Sequence, residues 1–193
     1  MPVQETLSKF NWIDIVVVSL ILITSYKGSK DGFIRGAFKL LGVVFALCVS
    51  LHYFSKASDE LVGRFSGLGV VFSDLLCFIL LAIISYLAIA ALRETLGRFL
   101  KVEAVSALDR WGALILGFLR GAFLVSLLLI VFCLSSVTYL KASVKKSYLG
   151  SQLLWTDVSV YEFIFNGMIS KFSPGENLNK DIYEALNGKE GAG

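Results

Sequence analysis

Four long apolar runs, broken by short polar stretches, organise residues 1–140. They predict helices over about 12–26, 33–54, 75–92 and 113–140. A bilayer core about 30 Å thick needs about 20 apolar residues per helix, and it leaves no water for unpaired backbone. The runs are therefore read as transmembrane helices. The first is short for a span, and Trp12 and Tyr26 mark its ends as interfacial. Beyond 140 the pattern changes. Leu154, Val158, Tyr161, Phe165, Met168 and Phe172 form one helical stripe, and Thr156, Ser159, Glu162, Asn166 and Ser170 line the other side. A spanning helix would have to bury Asp157 and Glu162, so residues 152–172 are expected to lie in the headgroup plane, on the side of the N-terminus. Gly167 is a kink point, and "SPG" at 173–175 ends the helix. The fold class expected is all-α integral membrane: a four-transmembrane-helix bundle with a C-terminal interfacial amphipathic helix. The division is 1–140 for the bundle and 141–193 for that helix and a tail, with one short helix before a frayed end.

The connections carry their own signals. "YKGSKDG" (26–32) reads as a tight helix–helix turn, and 55–69 as a longer loop with a half-buried piece. In 93–110, Leu96, Phe99 and Leu100 alternate with charges, which suggests an amphipathic extension of the third helix that turns at the interface. Lys27, Lys30, Arg35, Lys39, Arg93, Arg98, Lys101 and Arg110 flank one face of the bundle. Lys9, Lys56, Arg64, Lys141, Lys145 and Lys146 flank the other. The basic excess assigns the first face to the cytoplasm, which puts both termini outside.

Composition agrees with the pattern. Of 193 residues, 56% are hydrophobic and only 17% charged, against roughly a quarter charged in soluble domains. A net charge of +3, with no basic–aromatic patch, gives no support for nucleic-acid binding. Cys48, Cys77 and Cys133 all sit in apolar runs without a CxxC, so they read as small core residues and not as a disulfide framework. Residues 9–25 contain Asp14 and lack a small-residue cleavage site, so they read as a retained span rather than a signal peptide. The single His52 has no metal-ligand companions, and HExxH, GxSxG and P-loop patterns are absent from the sequence. The expectation is a non-enzyme with no catalytic, cofactor or metal site.

One motif stands twice. "GFIRGAF" at 32–38 recurs as "GFLRGAF" at 117–123, with six of seven residues identical. Gly28, Gly32 and Gly36 follow GxxxGxxxG spacing, and Ala113, Gly117 and Gly121 repeat it, the pattern by which helices approach closely in lipid. Arg35 and Arg120 each lie three residues after a glycine, on the same stripe, and are expected to face protein. Arg35, near its helix start, can snorkel. Arg120 lies deeper, about 10 Å in at 1.5 Å per residue, where a charge costs roughly 2.5–3.5 kcal/mol. It calls for an acidic partner. Asp14 is the first choice, Asp109 lies on the correct side, and Asp74 precedes the third span. Each acid also has a local reading: "NWID" and "SALD" fit capping boxes with Asn11 or Ser106 as N-cap, and "SD" at 73–74 fits a helix start.

With "WID" at Trp12–Asp14, "GFIRG" at Gly32–Gly36 and "DRWGALILGFLRG" at Asp109–Gly121, the chain resembles the colicin V production family of small bacterial inner-membrane proteins. The family motif Asp-Arg-x-x-Gly-x-x-x-Gly-x-x-Arg-Gly places Asp109, Arg110, Gly117, Arg120 and Gly121 in register. Position 113 is Ala where the motif has Gly, and Gly36 stands where the family often has an acid. The resemblance covers roughly 11–155 and implies a role in toxin production or export and in cell-envelope maintenance. A similar four-span unit anchors an extracytoplasmic protease in some bacteria, which implies a scaffold. Two readings follow. One is a non-enzymatic accessory or scaffold that contacts the lipid bilayer, other membrane or envelope proteins and copies of itself. The other is a small oligomeric transporter or channel subunit that uses Asp14, Arg35 and Arg120.

Overall fold

The computed structural model describes residues 11–65, 67–97, 106–169 and 178–183. Lys9, Arg98, Phe99, Leu100, Lys101, Ser170, Phe172, the 173–175 break and the last ten residues fall outside the described residues, as do the side chains of Leu96, Ser106 and Met168.

Helices α1 (Trp12–Asp31), α2 (Phe33–Arg64), α3 (Val70–Gly97) and α4 (Ser106–Leu134) make up the bundle. All four are long and apolar enough to cross a membrane. Each extends into a polar stretch beside the apolar segment that announces it. The polar residues Lys27–Asp31 continue α1, so the expected seven-residue turn shrinks to Gly32 alone. Gly32 has φ +79°, a left-handed value that glycine adopts without a Cβ penalty. It ends one helix and starts the next. Likewise 55–64 is not loop: α2 continues to Arg64, where the Phe65 N–H closes on the Leu61 carbonyl. The fourth helix stops earlier than expected, at Leu134. After Val137 a separate α5 (Thr138–Lys146) leads into α6 (Tyr148–Ile164), followed by a π turn, Phe165–Ile169.

Packing is pairwise. α1 runs along α4 and α2 along α3, and the two pairs join through α2 and α4. Val17, Leu47, Leu51, Phe78, Val125, Leu129 and Ile130 fill the space between them. α3 is the most apolar span, with mean hydropathy 2.8, yet only 17% of its apolar window is buried inside the protein. Lipid, not protein, is the solvent for most of it.

α6 lies across the end of the bundle where α1 begins. Its Leu149 meets Asp14 of α1, its Leu153 meets Ser126 of α4 and its Tyr161 meets His52 of α2. α6 thus contacts α1, α4 and α2 in turn. It is placed on the expected end, but its apolar stripe is turned differently. Leu154, Val158, Tyr161 and Phe165 are buried against protein, and Asp157 is buried with them rather than on the polar side. Tyr148, Trp155 and Phe163 are the large apolar side chains it leaves exposed.

Candidate functional site

At the Gly32 end, α1 and α4 come into backbone contact. A Cβ on Gly28 would sit 2.6 Å from the Gly117 Cα and 2.9 Å from the Ala113 carbonyl. A Cβ on Gly117 would sit 2.9 Å from both the Gly28 Cα and the Thr24 carbonyl, and one on Gly121 would overlap the Thr24 hydroxyl. The small-residue stripe of α4 is thus filled by α1. Gly36 is buried against Leu116, looser at 3.5 Å. These glycines work inside the chain.

The close approach carries charge with it. Arg120 is 8% exposed, and its Nη1 lies 3.6 Å from Asp31 Oδ2. The same oxygen holds Lys39 Nζ at 2.5 Å. One carboxylate at the end of α1 therefore ties α2 and α4 together. Asp31, not Asp14 or Asp109, is the partner of Arg120. Because α1 stays helical through the polar stretch, Asp31 falls on the same face as Gly28, and the arginine stem reaches back toward that end. A heptad count from Asp14 through Val17, Ile21, Thr24, Gly28 and Asp31 would have found it.

The other two acids serve helix N-termini, where orphan N–H groups and the helix dipole favour a carboxylate. Asp109 Oδ1 accepts from the Phe33 N–H at 2.9 Å, capping α2 from α4. Asp14 accepts from Asn11 N at 2.7 Å in its own capping box, from Ser147 Oγ at 2.7 Å and from Leu149 N at 2.8 Å. It therefore closes α1 and locks α6 to it. Trp12 stacks on Tyr139 beside this junction, with ring centroids 6.4 Å apart. Arg35 does not face the bundle as expected: it is exposed, as is Arg110. Asp14, Arg35 and Arg120 have different neighbours, and the structure does not bring them together.

Around Asp31 and Asp109 the ends of all four helices border an open cavity of about 750 Å³. Lys30, Arg35, Lys39, Arg93 and Arg110 line it, against Asp31, Glu94 and Asp109. At the opposite end lies a second polar group. His52 Nδ1 and Tyr161 Oη are 2.8 Å apart, and the Asn179 amide reaches the Leu51 carbonyl at 2.9 Å. Beside them Asp157 is 1% exposed, and among the described residues neither carboxylate oxygen has a hydrogen-bond partner. Burial pushes its pKa well above the ordinary carboxylate value; the nearby Ser126 pulls the other way. That hydroxyl is spent on the Leu153 carbonyl at 2.8 Å, so burial prevails. Among the described residues no cluster of metal-ligating side chains occurs.

Asp157 sets a pH dependence. Its folded pKa lies above the unfolded value of about 3.9, so the unfolded chain releases the proton first, and stability falls as pH rises through the interval between them. Asp157→Asn should raise the melting temperature in detergent at pH 8, with the gain vanishing toward pH 4. A gain of the same size at both pH values would show that the carboxyl is not neutral when folded.

Four apolar spans tied end to end by polar side chains define a multi-pass α-helical membrane protein. The family model for the colicin V production protein matches residues 13–154, and the chain belongs to that family. No curated protein and no solved structure matches it.

Proposed function

We propose that the chain is a non-enzymatic accessory or scaffold of the bacterial inner membrane, serving toxin production or export and cell-envelope maintenance. The observation that supports this reading is how the polar groups near the spans are used. Asp14, Asp31 and Asp109 each fasten one helix to another, which suits a rigid membrane platform. Family membership supports the toxin and envelope role. With its glycine stripe filled internally, the platform would meet membrane or envelope partners, or a second copy of itself, through lipid-facing sides such as α3, where Ile83 and Leu87 are more than half exposed. The basic excess at the Gly32 end supports a cytoplasmic assignment for it, with both termini outside.

A photo-crosslinking residue at Ile83 or Leu87 in cells tests the reading. The expected products are discrete adducts with envelope proteins or with the chain itself. Lipid adducts alone at both positions would reject a scaffold that works through this face. Solute flux in liposomes that Arg120→Gln abolishes would instead establish the transporter reading.

A further inference from the structure

The cavity at the Gly32 end has more positive charge than the protein itself uses. Lys39 is held by Asp31 at 2.5 Å, and Lys30 lies over the Tyr26 ring at 4.4 Å. Asp31 already serves two cations, Asp109 Oδ1 accepts from the Phe33 N–H, and Glu94 is engaged as well. These three carboxylates face five lining cations. Among the described residues no ion pair or hydrogen bond engages Arg35, Arg93 or Arg110. Three uncommitted arginines, from α2, α3 and α4, thus border one open space of about 750 Å³. Ligand clefts commonly measure about 300–1,000 Å³. Without a counter-ion three such groups repel one another, whereas a phosphate offers the oxygens that planar guanidinium forks bind in pairs.

The surroundings say how the phosphate is presented. The cavity lies at the ends of four membrane-crossing helices, at the level of lipid headgroups. Phe33 and Ile34 line it too, and are 47% and 40% exposed. Charge beside accessible apolar surface matches a molecule with an anionic head and an acyl tail, and basic pockets between transmembrane helices suit such heads. We propose that this cavity binds a phosphate ester, the headgroup of an anionic phospholipid, through Arg35, Arg93 and Arg110.

Native mass spectrometry of the full chain in detergent tests this with phosphatidylglycerol, phosphatidylcholine and inorganic pyrophosphate as separate probes. Preferential retention of phosphatidylglycerol is expected, weakening roughly fivefold for each arginine changed to Gln. Arg64→Gln, which alters the Glu60-paired arginine beyond the opposite end, should leave retention unchanged. If the R35Q/R93Q/R110Q chain does not fold, Arg93→Gln alone carries the test. Tight pyrophosphate binding that excludes the lipid, and is lost in the same variants, would keep the phosphate site but assign it to a soluble ester. Equal retention of both lipids without pyrophosphate binding would overturn the proposal. So would a folded triple variant with the wild-type preference.

Discussion

Gly117→Leu should destroy the packing of α1 against α4. Even the first added carbon meets backbone on the facing helix: the Gly28 Cα and the Thr24 carbonyl, each at 2.9 Å. Backbone cannot swing aside as a side-chain tip can, so the helices must separate, which strips Arg120 of its neighbours on α1. Overpacking costs roughly 1–3 kcal/mol and occasionally more, and a clash with backbone places this change at the upper end. The expected result is a collapse of the melting temperature in detergent, together with new reactivity of an introduced Thr24→Cys toward a thiol reagent. Gly28→Leu should do the same, because its Cβ would stand still closer to the partner backbone. Gly63→Ala is the contrast. A Cβ there meets nothing within 4 Å, and the change should stabilise α2 by a few tenths to about 1 kcal/mol. A Gly117→Leu protein that melts like the wild type would mean that α1 and α4 are not in contact.

That seam also shows which features the linear sequence reveals and which it hides. Apolar runs and four-residue glycine spacing are local patterns, and lipid leaves a greasy run few options but a helix, so the four helices could be read directly. The partner of the α4 stripe could be read only by letting α1 run on. Lys27, Ser29, Lys30 and Asp31 look like a turn because a bilayer rejects them, yet at a membrane surface helix and turn are both allowed to a polar run. Tertiary contact decides between them, here through Gly28 against Gly117. Asp109 illustrates a different limit. "SALD" fits a local capping box on Ser106, whose side chain lies outside the described residues. Nothing local announces that Asp109 also accepts from the N–H of Phe33, 76 residues away in the chain. Both uses satisfy an orphan N–H at a helix start, and spacing alone cannot rank them. Asp157 was hidden by the rule that charge marks the wet side of an amphipathic helix. The rule fails where packing buries the carboxyl and burial raises its pKa.

The charge network should show the strongest coupling in the molecule. Arg120→Gln leaves Asp31 with Lys39 alone, whereas Asp31→Asn strands Arg120, whose Nε already lacks a partner among the described residues. Breaking a buried pair from one side costs about 3–5 kcal/mol. The Asp31 side chain is 24% exposed and its pairing to Arg120 spans 3.6 Å, which places Asp31→Asn near the low end. Combining Asp31→Asn with Arg120→Gln should cost well under the sum of the two single changes, since the second removes the charge that the first leaves unpaired. Asp14→Asn combined with Arg120→Gln should be additive, because Asp14 bonds to Ser147 and Leu149 on another side of the molecule. Thermal unfolding of the three single and two double variants, beside the wild type in one detergent, measures both cycles. Additivity in the Asp31 cycle would rule out that pairing, and coupling above about 0.5 kcal/mol in the Asp14 cycle would move the counter-charge of Arg120 to Asp14.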